Sequence, residues 1–190
     1  MSPRPVAPVQ ALILVDLQAA FVSGANPVPH AAPLLERVED LLARARESGA
    51  LVVHLQNDGG PGADDEKGTP GWELHLPADT HRGEPVLHKT VDDGFEDSPL
   101  EDLLRDAGVQ ELALCGVMSE MCVRATAATA LDLGFRVVLP HDAHATYDIP
   151  SAEGISDRVP AATVSRVAEW SLGDEVEIVA RAATLDFTKP

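Results

Sequence analysis

Three residues with reactive side chains stand close to the ends of apolar runs. Asp16 and Lys89 each close such a run, and Cys122 lies a few residues after another. Together a thiol, a carboxylate and an ammonium group can carry out acyl transfer, because the sulfur attacks a carbonyl carbon, the carboxylate moves the proton and the cation favours the thiolate. The sequence therefore predicts a cysteine-dependent hydrolase, provided that the fold brings the three residues together.

Each of the three residues also has a purely structural interpretation. If Ser119 is the N-cap of a helix, Cys122 is its third residue, where unpaired N–H groups favour a thiolate and can hold an oxyanion. A cysteine in a first helical turn can equally be a small buried apolar side chain. An acid at a strand end can cap a turn, and a lysine there can be a solvated charge. Only the convergence of all three favours chemistry.

The elements that would position these residues alternate along the chain. Six apolar runs predict strands, at 11–16, 51–55, 85–89, 112–117, 136–140 and 175–179. Four segments predict helices, from Pro33 to Gly49, Ser98 to Gly108, Ser119 to Gly134 and Pro160 to Gly173. This order predicts an α/β fold, a three-layer α/β/α sandwich around a mainly parallel sheet. The carboxyl ends of parallel strands share one edge, so Asp16, Lys89 and the turn before Cys122 are expected to meet there.

The length of 190 residues predicts a single domain over 1–190, with its core at about 11–180. The segment 57–80 is rich in glycine, proline and aspartate and is long for a loop in a compact domain. Loops of this length often close over a binding site, so we interpret it as a candidate lid.

The charge balance excludes two classes of partner. With 31 acidic and 14 basic residues the net charge is −17, and such a surface repels nucleic acid and anionic lipid. No apolar stretch is long enough to cross a membrane. The two cysteines, Cys115 and Cys122, and the absence of an apolar run after Met1 predict a cytoplasmic protein. A redox role remains an alternative, although the two thiols fall on different predicted elements.

A metal or nucleotide cofactor is not predicted. None of the seven histidines forms a pair at zinc-binding spacing, and the nearest approach is His141 and His144 with Asp142. A polar loop after a strand explains that group equally well. Neither a Gly-x-Gly-x-x-Gly nor a P-loop motif occurs.

At this point the sequence resembles the isochorismatase-like cysteine hydrolases over roughly residues 11 to 180. The likeness is carried by the segments 12–18 and 115–123, by Lys89 and by Asp142-Ala143. It implies a six-stranded parallel sheet, often in a homodimer or larger oligomer, and a catalytic triad of Asp16, Lys89 and Cys122. It also implies a cis peptide between Val117 and Met118, and an oxyanion hole formed by the backbone N–H groups of Met118 and Cys122.

Within that family, three segments are most similar to cyclic amidases that open a lactam, namely 54–58, 68–74 and 141–146. Nicotinamidases carry an Asp-x-His metal motif after the second strand, where this chain has His54-Leu55-Gln56. Members that cleave an enol ether lack the cysteine. The resemblance thus implies a hydrolase of a small, cyclic amide that works through a thioester. Nicotinamide, carbamoyl and ureido amides are alternative substrates, and a non-catalytic binding or scaffold domain is the rival function.

Four residues are candidates for lining the substrate pocket. Phe21, Gln56, Trp72 and Phe95 follow predicted strands or lie in the long loops beyond them. Each is equally compatible with ordinary packing in the core or in a loop.

Overall fold

The computed structural model describes residues 6–190 as one α/β unit. The segment Met1–Pro5, where no signal peptide is predicted, lies outside the described residues. The elements in chain order are β1 (Ala11–Val15), α1 (Ala19–Val22), α2 (Ala31–Ser48), β2 (Leu51–Asn57), β3 (Val86–Lys89), α3 (Leu100–Asp106), β4 (Glu111–Val117), a π-helical turn (Ser119–Val123), α4 (Arg124–Asp132), β5 (Arg136–Pro140), β6 (His144–Ala145), α5 (Ala161–Trp170), β7 (Glu177–Val179) and a short 3-10 turn (Ala182–Thr184).

The sheet is parallel throughout its paired strands. Its order is β3-β2-β1-β4-β5-β7, and the two-residue strand β6 pairs with the end of β4. The prediction of a parallel α/β sheet is confirmed, with seven strands rather than six. The sequence analysis missed β6 because two residues carry no periodicity. Since β5 pairs only with the first half of β4, β6 takes the place beside its second half.

Two apolar layers flank the sheet and confirm the three-layer arrangement. On one face α2 buries an apolar stripe that includes Leu34, Val38, Leu41, Leu42 and Ala45. On the other face α3 and α4 bury Leu100, Leu104, Ala127 and Ala130. Each fully buried aliphatic side chain of leucine size contributes about 1.5–3 kcal/mol, so these two faces hold the sheet edge rigid.

Helix boundaries differ from the predictions by a few residues. α2 begins at Ala31, two residues before Pro33, and α5 covers Ala161–Trp170. α3 begins at Leu100, whose backbone N–H donates to the Ser98 hydroxyl at 3.2 Å. These shifts move no reactive residue to a different element.

The segment 57–80 is bonded to the ends of β1 and β2. The side-chain amide of the buried Gln18 donates to the carbonyl oxygens of Asn57, at 2.9 Å, and Trp72, at 3.0 Å. Gln56 donates to the same Trp72 oxygen at 2.8 Å. The loop is therefore fastened beside the carboxyl ends of the strands, and its role as a lid stays a prediction.

None of the helices within residues 6–190 combines the length and the apolar character that crossing a bilayer requires.

Candidate active site

Strand register brings the reactive residues to one edge of the sheet. Val15 pairs with Leu55 on one side and with Gly116 on the other, and Asn57 pairs with Lys89. The residues that follow β1 and β4 therefore lie side by side, and the end of β3 lies two strands from β1.

Asp16 and Lys89 form a buried ion pair. The distance from Asp16 Oδ2 to Lys89 Nζ is 2.7 Å, and the two side chains are 2% and 1% exposed. Lys89 Nζ also donates to the backbone oxygen of Val91 at 3.1 Å. Apart from the ion pair, neither carboxylate oxygen of Asp16 has a hydrogen-bond partner among the described residues. The carboxylate therefore keeps free lone pairs with which it can accept a proton.

Burial and charge shift the pKa values of this pair. Burial raises the pKa of Asp16 above its usual value, although the positive charge of Lys89 opposes the rise. For Lys89, burial alone would lower the pKa, but the negative partners Asp16 and Cys122 outweigh it and the pKa rises. The lysine stays charged, and the carboxyl is a better base than one in water.

Cys122 lies in a π-helical turn rather than in the first turn of an α-helix. The turn covers Ser119–Val123 and α4 follows directly, with Met118 before it in an extended conformation. Ser119 is thus the first residue of the turn, and the predicted Ser119 N-cap is wrong. Its hydroxyl bonds instead to side chains of β6 and α5. A π-turn appears where packing forces an extra residue into a helix, and apolar spacing does not reveal it.

The thiol of Cys122 is protonated at rest. Its pKa is raised to about 12, chiefly by burial and also by the charge of Asp16, while Lys89 opposes the rise. This differs from the thiolate that a helix terminus alone would favour, because burial and the carboxylate outweigh the helix end. A base must therefore take the proton before the sulfur can attack, and the buried Asp16 is near enough for its charge to act on the thiol.

Asp92 is a neighbour of the thiol that the sequence analysis missed. Its Oδ1 lies 3.7 Å from Cys122 Sγ, and the residue is exposed. It belongs to an acidic loop after β3, in which no sequence pattern shows the direction of any one side chain.

Gly116 allows the close approach of β1 and β4 next to these residues. Its φ is +127°, and a Cβ atom there would lie 2.0 Å from the Val15 carbonyl oxygen. The peptide bond between Val117 and Met118, one residue further on, is cis, the geometry that the resemblance implied.

The four candidate pocket residues lie in two kinds of surroundings. A cavity of about 120 Å³ opens beside Lys89 and is lined partly by Asp58 and His88. The Trp72 ring stacks on His88 with the centroids 5.4 Å apart, and its Nε1 donates to Asp58 at 2.8 Å.

Gln56 is buried, and its side-chain amide donates to the carbonyl oxygen of Trp72. Phe21 and Phe95 pack against the two apolar layers, and Phe95 stacks on Phe135. The structure thus brings Gln56 and Trp72 close to the cavity beside Lys89 and gives Phe21 and Phe95 packing contacts.

One cluster offers a set of metal-ligand side chains. One ligand atom from each of His141, His144 and Glu169 lies within 4.8 Å of the other two. Both rings already bond to Glu169 Oε1, at 2.6 and 3.0 Å, so hydrogen bonds satisfy the group. Asp142, which the sequence placed with these histidines, instead pairs with Arg37 at 3.1 Å and accepts the Ala182 N–H.

A parallel sheet that presents an acid, a lysine and a cysteine at its carboxyl edge is the arrangement of a cysteine hydrolase. Comparison with known families agrees, because the model of the isochorismatase domain matches residues 10–167. The chain belongs to the isochorismatase family.

Individual relatives extend this likeness to nearly the whole chain. Two streptothricin hydrolases of Streptomyces noursei are 68% identical over 182 residues, which is 96% of this chain and 72% and 66% of theirs. The crystal structure of an isochorismatase from Pseudomonas putida KT2440 superposes with a TM-score of 0.84 at 28% identity, covering 96% of this chain and 94% of the other. For N-carbamoylsarcosine amidase from Thermoplasma acidophilum the TM-score is 0.74 at 26% identity, over 90% and 95%.

Proposed function

We propose that this protein is a cysteine amidohydrolase that cleaves a carbon–nitrogen bond of a small amide through a thioester. The observation that carries the proposal is the buried pair of Asp16 and Lys89, 2.7 Å apart, which lies near enough to Cys122 for both charges to act on its thiol. The high identity to streptothricin hydrolases supports the bond type and favours a cyclic amide as substrate. Open amides of the nicotinamide, carbamoyl or ureido kind are the alternatives.

The proposed reaction begins with proton transfer from Cys122 to Asp16. The sulfur attacks the amide carbon, and the ammonium of Lys89 compensates the negative charge that the proton transfer leaves on sulfur. The backbone N–H groups of Met118 and Cys122 hold the oxyanion that develops. Asp16 then gives its proton to the leaving nitrogen as the C–N bond breaks. Asp16 next takes a proton from water as the water oxygen attacks the thioester carbon. When the C–S bond breaks and the acid is released, Asp16 returns that proton to the sulfur, which restores the thiol and the carboxylate.

The mechanism uses only side chains and backbone groups of this chain, and we propose that it needs neither a metal nor an organic cofactor. Phe21, Gln56, Trp72 and Phe95 remain proposed pocket residues. Because the nucleophile must stay reduced, a reducing compartment such as the cytoplasm suits the protein, and both cysteines are free. The homodimer or larger oligomer stays a proposal that rests on the family resemblance.

Replacement of the nucleophile tests the proposal. Cys122→Ala should lower turnover by several powers of ten in a screen of lactam, nicotinamide, ureido and carbamoyl substrates, because no other thiol can form the thioester. Intact-mass spectrometry of the wild type with a slow substrate should show the added acyl group.

Cys115→Ala is the matched control. Cys115 is completely buried in β4 and bonds only weakly to the Ile13 carbonyl oxygen, so its removal should leave turnover unchanged once the folded fraction is corrected. Turnover by Cys122→Ala above about 1% of the wild-type rate would exclude Cys122 as the nucleophile. If no amide in the screen is hydrolysed and no acyl adduct forms, the non-catalytic binding domain becomes the better interpretation.

A further inference from the structure

A second buried polar cluster lies against the turn that carries Cys122. It consists of Ser119, His144, Ser165 and Glu169, and all four residues are at most 6% exposed. Ser119 begins the π-helical turn, His144 lies in β6, and Ser165 and Glu169 lie one helical turn apart in α5. The proposed mechanism uses none of these side chains.

Three hydrogen bonds join the four residues in the order Ser165, Ser119, His144, Glu169. The Ser119 hydroxyl lies 2.8 Å from His144 Nδ1 and 2.9 Å from the Ser165 hydroxyl, and His144 Nε2 lies 3.0 Å from Glu169 Oε1. Because both ends of this chain, Ser165 and Glu169, lie on one face of α5, the hydrogen bonds join that helix and β6 to the first residue of the turn.

The chemistry of the groups fixes the direction of these bonds. A carboxylate can only accept, so Nε2 of His144 carries a proton. When the imidazole of His144 is neutral, its Nδ1 accepts the Ser119 O–H, and the Ser119 oxygen accepts the Ser165 O–H. His141 and Arg166 complete the coordination of Glu169, at 2.6 and 3.2 Å. Every buried polar side-chain atom of the cluster has a hydrogen-bond partner, which makes the cluster rigid.

Ser119 directly follows Met118 and lies three residues before Cys122. A shift of Ser119 therefore moves both the sulfur and the N–H groups proposed to bind the oxyanion. We propose that His144 is a positioning residue, which through Ser119 holds the π-turn so that Cys122 stays against Asp16 and Lys89. The proposal rests on the assignment of Cys122 as the nucleophile.

Two conservative variants separate the two bonds of His144. In His144→Asn the side-chain amide reaches about as far as Nδ1 and keeps the bond to Ser119. In His144→Gln the amide reaches about as far as Nε2 and keeps the bond to Glu169 instead. If the bond to Ser119 holds the turn, His144→Asn should behave like the wild type, whereas His144→Gln and His144→Ala should not.

The readout is the rate at which iodoacetamide alkylates Cys122 at pH 8. A loosened turn lets the sulfur move away from Asp16 and towards solvent, so its pKa falls and alkylation accelerates, about tenfold for each pKa unit. We expect at least that acceleration in His144→Gln. Turnover should fall by about 10- to 100-fold through kcat, since a displacement of about 1 Å is enough for such a loss.

Two internal controls accompany the measurement. Cys115 in β4 becomes alkylated only when the whole fold opens, so peptide mass spectrometry distinguishes a local from a global change. His54 with Glu84 and Arg46 forms a second group of the same three residue types as His144 with Glu169 and Arg166. This second group has no bond to the π-helical turn. The matched variant His54→Ala should leave the alkylation of Cys122 and kcat per folded molecule unchanged.

Equal alkylation rates in His144→Gln and the wild type would overturn the proposal, as would a His144→Asn variant that reacts as fast as His144→Gln. If iodoacetamide also labels Cys115 in His144→Gln, the Ser119→Ala variant decides whether the turn itself has loosened. It removes only the hydroxyl on the turn, and it must accelerate alkylation of Cys122 alone. The labelling does not depend on turnover, so its result stands apart from the Cys122→Ala test of the proposed function.

Discussion

At the scale of single residues, the site is a balance of charges around a buried thiol. Burial and the charge of Asp16 raise the pKa of Cys122, Lys89 lowers it, and together they leave it at about 12. A thiol with such a pKa attacks only after its proton has been transferred, which is the step proposed for the carboxylate of Asp16. The opposite contributions of Asp16 and Lys89 lead to opposite predictions for their variants.

Lys89→Met should slow the alkylation of Cys122 by iodoacetamide at pH 8 and lower kcat. Without the cation the thiol pKa rises further, and the thiolate fraction falls about tenfold for each unit. Methionine keeps most of the apolar stem, so the fold should hold. Lys67→Met is the control, because Lys67 is exposed and pairs with Asp58 instead. Overlapping pH profiles for Lys89→Met and the wild type would mean that the lysine does not act on the sulfur.

Asp16→Asn should separate reactivity from turnover. Removal of the carboxylate takes away a contribution that raises the thiol pKa, so alkylation of Cys122 should accelerate. Turnover should nevertheless fall by a factor of about 100 or more, because the base and acid of the reaction is gone. Measuring both rates on one preparation checks the prediction. A variant in which both rates fall together would show that Asp16 stabilises the thiolate instead of accepting its proton.

The sequence located these three residues because each follows a strand that the apolar pattern reveals. It could not locate Asp92, or the hydrogen bonds that join Ser119, Ser165 and Glu169 to one another through His144, because those contacts depend on side-chain directions in loops and on helix packing. His144 was noticed only as a metal candidate, and its two bonds became visible through β6, a strand too short to predict.

At the scale of elements, the end of β4 decides where the site forms. Its register with β1 places Gly116 against the Val15 carbonyl, and the π-turn follows two residues after β4 ends. Apolar runs predicted the strand and the helix beyond it. They could not predict the π-turn, since apolar spacing does not reveal one extra residue in a helix.

Gly116→Ala should destabilise the protein strongly. An added Cβ would lie 2.0 Å from the Val15 oxygen, which is fixed in the sheet, and alanine resists the φ of +127°. Gly134→Ala is the matched control, because its φ is +83° and nothing lies within 4 Å of the new atom. That control should lose only about 1–2 kcal/mol, the cost of a left-handed backbone. Urea unfolding of both variants measures the difference, and equal losses would show that β4 can move away from β1.

At the scale of the whole molecule, excess negative charge opposes folding. The chain carries 31 acidic and 14 basic residues, for a net charge of −17. Self-repulsion at this charge destabilises a compact state. The buried pair of Asp16 and Lys89 is little affected by salt, because its side chains are at most 2% exposed, whereas the exposed acids are fully open to screening.

Salt should therefore raise the melting temperature at pH 7. Between about 10 and 300 mM NaCl the screening length falls from about 30 Å to below 8 Å, which removes most long-range repulsion between exposed charges. A gain of about 1 kcal/mol would raise Tm by about 2–4 °C for a chain of this size. Differential scanning calorimetry checks the shift, and the same salt series at pH 5, close to the isoelectric point of about 4.6, is the control. There the net charge is small and the shift should nearly vanish. A melting temperature that falls with salt at pH 7 would show instead that surface ion pairs, such as that of Arg136 with Glu177, contribute more to stability than repulsion takes away.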